Sequence, residues 1–290
     1  VVCELLELIS RQKRYDSGLK LSALIGAGMG VDSGLPDFRG TEGLWKEYPP
    51  LARFRLDFSD MANPRWFETD PCFAWGFYGH RLLLYRRTVP HEGFTVLHRW
   101  RDRLPRGCFV FTSNVDGQFQ RAGFAEDDIV ECHGSIHYLQ SMEGGPIWSA
   151  DGVNLPEIPS ETLRLPEDAC PRCPDGTLAR PNILMFGDWA WDGSRTAEQR
   201  KRLHSWLNCL RTGAAASRLA VVELGAGEAV PTVRMASESA AESSNGTLIR
   251  INPRDSHVPS SFRGAEAVSL ACGALEGLRL IDQELSKLGV

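Results

Sequence analysis

A chain of 290 residues, 42% hydrophobic and 24% charged, is long enough for one large α/β domain or a domain with a small insert. Its net charge of −5 and the lack of any Lys/Arg cluster give no basis for nucleic-acid binding, and no apolar run approaches the roughly 20 residues of a membrane span. Eight cysteines, mostly set singly among apolar residues (Cys108, Cys132, Cys209, Cys272), read as reduced buried thiols. With a start, Val1-Val2-Cys3, that carries no basic-then-apolar export segment, they predict a cytoplasmic protein.

Helical periodicity first covers Cys3 to Arg14, and the apolar run Leu21 to Ile25 reads as a buried strand. Gly26-Ala-Gly-Met-Gly-Val-Asp-Ser-Gly-Leu-Pro-Asp-Phe-Arg39 follows. Gly26 and Gly28 let the backbone turn tightly and bring its N–H groups to a phosphate. The usual dinucleotide fingerprint is not met, because Val31 stands at its last glycine position and Gly30 and Gly34 fall off its spacing. Residues 41–92 are rich in aromatics and proline and look helical in part. A helix is predicted over Phe94 to Leu104. A strand over 108–113 runs into Thr112-Ser113-Asn114-Val115-Asp116-Gly117, and another over 128–132 runs into Glu131-Cys132-His133-Gly134.

Residues 135–180, punctuated by Gly144, Gly145 and five prolines from Pro156 to Pro174, read as loop. A strand over 182–187 lies within Arg180-Pro-Asn-Ile-Leu-Met-Phe-Gly-Asp188. Next come a helix over Glu198 to Thr212 and a strand over 219–224 ending in Leu224-Gly225-Ala226-Gly227. A helix over Val230 to Ala240, a surface turn at 241–246, a strand over 247–251 ending in Ile251-Asn252, and a helix from Leu275 to Leu288 complete the chain. Strands alternating with helices predict an α/β fold with a doubly wound, Rossmann-like parallel sheet, and a ligand beyond the carboxyl ends of its strands.

These glycine-rich, Ser-Asn-Val-Asp, Cys-His-Gly, Phe-Gly-Asp, Gly-Ala-Gly and Ile-Asn blocks, in this order from about residue 21 to residue 275, resemble the sirtuin family. The resemblance implies a nucleotide-binding domain of residues 1–40, 93–134 and 181–290. It also implies a smaller lobe of 41–92 and 135–180, a helical insert plus a degenerate zinc-ribbon-like module, with a cleft between. The implied activity is NAD-dependent protein-lysine deacylation, which breaks the nicotinamide–ribose bond of NAD and passes the acyl group of an acyl-lysine protein or peptide to ADP-ribose. A transition state with positive charge on the sugar requires a site that favours such charge.

Residue by residue, the resemblance assigns His133 as general base, Asn114 to a water and the ribose, and Asp116 with the Val115 backbone to the nicotinamide carboxamide. Phe38 would cover the sugar, supported by Asp37 and Arg39, while Gly26, Ala27 and Gly28 approach the phosphates. Ser113 stands where most relatives carry glutamine. Gly225, Ala226, Gly227, Asn252 and Ala274 would face the adenosine half, with Ala226 and Gly227 in place of Thr and Ser. Taken alone, Asn114 and Asp116 read as a capped turn and His133 as a satisfied polar residue; the Cys-His-Gly context favours catalysis. His137 lacks that context and is assigned to structure or surface.

Phe186, Gly187 and Asp188 would pair with an extended peptide by strand addition. Trp189 and Trp191 line that groove or belong to the core, and Arg53 and Arg55 either reach an acidic acyl group or, as is usual for charged loop residues, are simply solvated. Cys170-Pro-Arg-Cys173 has the spacing of half a tetrahedral zinc site, but Gln140-Ser-Met-Glu-Gly-Gly145, where the family supplies the other half, contains no cysteine. A reduced thiol pair is favoured and zinc stays an open question. Two other functions remain in play: an NAD hydrolase or ADP-ribosyltransferase using the same site, and a non-catalytic NAD or ADP-ribose sensor.

Overall fold

The computed structural model describes residues 20–27, 29–36, 41–104, 107–212 and 217–287. The expected helix over Cys3 to Arg14 and the site candidates Gly28, Asp37, Phe38 and Arg39 lie outside the described residues.

Six strands form one sheet: β1 (Lys20–Ala27), β2 (Cys108–Thr112), β3 (Ile129–Glu131), β7 (Ser217–Leu224), β8 (Thr247–Ile251) and β9 (Glu266–Leu270). Their order is β3-β2-β1-β7-β8-β9 and every pairing is parallel. The chain therefore winds outward from β1 in one direction and from β7 in the other. The switch point between β1 and β7 is where such a sheet opens a crevice at its carboxyl edge.

Both faces of the sheet are covered, which is why its strands read as apolar runs without alternation. On one face Val110, Ile129, Val222, Ile249 and Val268 pack with Phe94, Leu97 and Trp100 of a helix over Glu92–Arg103 and with Leu278 and Ile281 of the last helix, Ala274–Lys287. On the other, Phe109, Phe111, Val221 and Leu248 meet Leu203 and Leu210 of helix Ser194–Thr212 and Val233 and Ala240 of helix Thr232–Ser243.

A third core lies beside this sheet. Helices Thr41–Glu47, Pro49–Phe54, Phe58–Met61, Arg65–Thr69 and Pro71–Arg87 give it Leu44, Leu51, Met61, Phe67, Trp75 and Phe77. A second, antiparallel sheet supplies Ile136, Leu139 and Ile183; its order is β5-β4-β6, from β4 (Gly134–Ser141), β5 (Trp148–Ser149) and β6 (Ala179–Ile183). Gly134 makes the close crossing to β6 possible: at φ +75°, an added Cβ would lie 2.0 Å from the Asn182 carbonyl oxygen.

Several expectations are corrected here. The strand expected over 182–187 ends at Ile183 and belongs to the antiparallel sheet, because Asn182 and Ile183 pair with Ser135 and Gly134. The stretch 135–180 is not all loop, since β4 and β5 lie within it. The turn expected at 241–246 begins later, because the helix runs to Ser243 and buries Ala241. Strand β9 carries no signal read from the sequence; it is a short edge strand whose first two residues are exposed. Cys209 is exposed, on a helix that otherwise supplies a core face.

Candidate active site

The site is built from strand ends. Past β1, Met29 is fully buried and Gly30–Ser33 forms a 3-10 turn closed by Gly34. Gly30 presses this turn towards Asp116: an added Cβ would come within 3.4 Å of Asp116 Oδ2. Past β2, the Asn114 N–H donates to Thr112 Oγ1 at 3.0 Å, and the Gln118 N–H donates to Asp116 Oδ1 at 3.0 Å. Asp116 is buried, and burial pushes its carboxyl up to about 6, opposed by the Gln118 N–H. Gln118 is buried too; its amide donates to the Tyr85 carbonyl at 3.2 Å, and its Oε1 has no hydrogen-bond partner among the described residues.

Past β3, the Cys132 N–H donates to the Thr112 carbonyl at 2.8 Å and the Ile136 N–H to the Val115 carbonyl at 3.0 Å. The Cys-His-Gly segment is thereby tied to the Ser113–Asp116 loop. His133 Nε2 lies 3.3 Å from Thr232 Oγ1, at the first turn of helix Thr232–Ser243 and so across the sheet's switch point.

Among the described residues edge strand β3 has no neighbouring strand on its outer side, and helix Ser194–Thr212 supplies partners there. The Glu131 N–H donates to Gln199 Oε1 at 3.0 Å, and Thr196 Oγ1 donates to the Glu131 carbonyl at 3.0 Å. Arg195 holds the Glu131 carboxylate at 2.5 Å.

The far half of the crevice is made by β7, β8 and β9. Gly225 turns at φ +62° and its N–H donates to the Ile251 carbonyl. The Asn252 amide donates to the Ala226 carbonyl at 2.9 Å, while Asn252 Oδ1 receives the N–H groups of Arg254 and Asp255. Asn252 thus fixes the Gly225–Gly227 loop. Ala274 is buried at the start of the last helix, where Asp32, from the turn after β1, accepts the Leu275 N–H at 2.9 Å. The described nucleotide candidates, which end or follow β1, β2, β3, β7, β8 and β9, therefore lie at the same carboxyl edge.

A family model described as the Sir2 family matches residues 26–211. The chain belongs to the Sir2 family. A Thermus thermophilus NAD-dependent protein deacylase is 30% identical over 93% of this chain and 92% of its own length. An Aquifex aeolicus protein of the same name is 32% identical over 59% of this chain and 62% of its own. The crystal structure of a Sir2 homolog–NAD complex superposes with a TM-score of 0.65 at 23% identity, covering 98% of this chain and 94% of that one, which shows the fold.

In this Sir2 chain the residues fit a nicotinamide nucleotide at the Asp116 end. The buried Asp116 carboxylate is an acceptor, suited to carboxamide N–H donors beside a positively charged ring. The peptide candidates divide. Phe186 is partly exposed, packs edge-on against Phe58 and donates its N–H to the Ala62 carbonyl. Asp188 points inward, its carboxylate fully buried in an ion pair with Arg180 and accepting the Met185 N–H, so it shapes the 183–188 turn. Trp189, 99% exposed, stands just beyond it, and Trp191 is half-buried.

The residues do not fit zinc. Cys170 Sγ donates to the Pro166 carbonyl and Cys173 Sγ to the Leu178 carbonyl, each at 3.6 Å, and burial beside Cys72 pushes Cys170 up to about 12. Among the described residues no three His, Cys, Asp or Glu side chains are placed to hold a metal. Sequence reasoning missed Gln118, Thr232 and Gln199, none of which carries a motif; each matters through a contact that exists only in the folded chain.

Proposed function

We infer that this site performs NAD-dependent protein-lysine deacylation, with His133, Asn114 and Asp116 as its reacting set. The supporting observation is the tie between two strand-end segments, one carrying a buried carboxylate and the other a histidine, at the carboxyl edge of a doubly wound sheet. NAD supplies an electrophilic sugar carbon once nicotinamide departs. Asp116 orients the carboxamide and, in a buried setting, favours positive charge nearby. Asn114, its backbone pinned to Thr112, orients a water and the ribose hydroxyls. His133, with Nε2 held near Thr232, takes a proton from the ribose hydroxyl that attacks the acyl carbon. Gly225–Gly227, Asn252 and Ala274 hold the adenosine half, and Phe186 and Gly187 the peptide backbone. The lobe formed by 41–92 and 135–180 walls the substrate side. No described helix is long and apolar enough to cross a membrane, and the seven described cysteines are free, which fits a reducing cytoplasm.

The test is incubation with NAD, with and without acetyl-, long-acyl- and succinyl-lysine peptides, with products identified by mass. Nicotinamide release should require peptide and yield O-acyl-ADP-ribose, and His133→Ala should lower it by roughly 10²–10⁴-fold. NAD consumed equally fast without peptide would establish the hydrolase instead. Binding without turnover would leave a sensor.

A further inference from the structure

His137 lies outside the reacting set, yet the fold aims it at Asp116. It sits on β4, in the second sheet, and its Nε2 is 3.0 Å from the Asp116 main-chain oxygen. A carbonyl only accepts, so Nε2 carries the proton and donates. Burial pushes the imidazole pKa down, in keeping with a neutral ring. The residue before it, Ile136, donates its N–H to the Val115 carbonyl at 3.0 Å. Two successive residues of β4 therefore hold two successive carbonyls of the loop that carries Asp116. The ring also packs on the next residue: at Gly117, where φ is +66°, an added Cβ would come within 2.7 Å of His137 Cδ2.

We propose that His137 is a positioning residue for the nicotinamide half of the site, through which the second sheet fixes the orientation of the Asp116 carboxylate. The inference rests on the assignment of Asp116 to the nicotinamide carboxamide. The Asp116 carboxylate accepts the Gln118 N–H, one residue beyond the Asp116–Gly117 peptide, so its direction follows that peptide. That peptide is set by the His137 hydrogen bond on one side and the ring contact on the other. Without them the turn keeps its sequence and loses its aim, and a misaligned carboxylate acts on the nicotinamide half of NAD alone.

The experiment compares NAD with ADP-ribose, which lacks nicotinamide, by calorimetry, together with the thermal midpoint of each variant. His137→Phe keeps a ring but removes the donor, and is expected to weaken NAD about tenfold, the scale of one lost hydrogen bond, with ADP-ribose within about twofold. His137→Gln, whose amide places a donor near the former Nε2, should return NAD to within about threefold. Gly117→Ala, which drives a methyl group into the ring, supplies the same signature by a second route should His137→Phe not fold. Equal losses for NAD and ADP-ribose, no loss for either, or identical behaviour of Phe and Gln would overturn the inference. Asp116→Asn separates the two levels. If it weakens NAD while His137→Phe does not, the positioning role alone fails; if it leaves NAD untouched, the assignment of Asp116 fails and the positioning role with it.

Discussion

The Asp116 carboxyl ionises against the burial that lifts its pKa from an ordinary 3.8 to about 6. A rise of that size corresponds to roughly 3 kcal/mol of preference for the neutral form in the native state. The sign follows from linkage: with the folded pKa above the unfolded one, the contribution is fully present below about pH 4 and is lost as pH rises through about 6. At neutral pH the charge is held at the expense of stability, as expected of a group kept for its chemistry. Asp116→Asn should therefore gain stability relative to the parent on going from pH 4 to pH 7.5, by up to roughly 3 kcal/mol. Denaturant unfolding at the two pH values measures it. A difference that stays constant with pH would mean that the carboxyl titrates normally and that burial is not what sets it.

At the scale of elements, the outer side of β3 depends on side chains rather than on another strand. An edge strand presents unpaired backbone groups, and here Gln199 and Thr196 satisfy the N–H and carbonyl of buried Glu131. Gln199→Ala leaves a buried N–H without an acceptor, which should cost about 1–3 kcal/mol in unfolding free energy. Because Glu131 is two residues before His133, deacylation should fall as well, while nicotinamide-independent ADP-ribose binding holds. An unchanged unfolding midpoint would show that water replaces the amide.

The same scale explains what could be read in advance. The strands of the parallel sheet are apolar on both faces, so composition alone reveals all but the edge strand β9. Strand β4 carries Ser135, His137, Gln140 and Ser141, polar residues that are inward or half-buried; the two serines accept local N–H groups, and His137 and Gln140 bond across the fold. One such bond runs from the Asn182 amide to Gln140 Oε1 at 2.9 Å. Such a strand has no apolar period to find. A register break between Ser135 and Leu139 removes what alternation there is. The site motifs were legible because they sit at the ends of the apolar strands, whereas the partners that hold them, Gln199, Thr232 and His137, are defined only by folding.

For the whole molecule, the question is what holds the second sheet and its helices together around the Cys170–Cys173 turn. Cys170 and Cys173 belong to the same core as Trp75, Phe77, Leu139 and Ala179, and the Trp75 indole N–H donates to the Ala179 carbonyl at 2.9 Å. The Cys170–Cys173 turn is stitched to β6 by the Ala179 N–H, which donates to the Pro171 carbonyl, and is closed by the Cys173 N–H donating to the Thr177 carbonyl. Facing Ala179 across the ladder is Ser141, in the stretch where a second thiolate pair would begin. Aromatic packing and backbone hydrogen bonds thus span the region that a tetrahedral metal would otherwise cross-link. A structural zinc site adds to folding free energy outright, so its removal would lower the unfolding transition steeply. This chain should instead keep its midpoint within about one degree in excess chelator, because among the described residues protein–protein contacts alone span that region. It should also refold from denaturant without added metal, and carry clearly less than one zinc per chain by elemental analysis. Tightly held, stoichiometric zinc whose loss unfolds the protein would refute this, and would require ligands beyond Cys170 and Cys173.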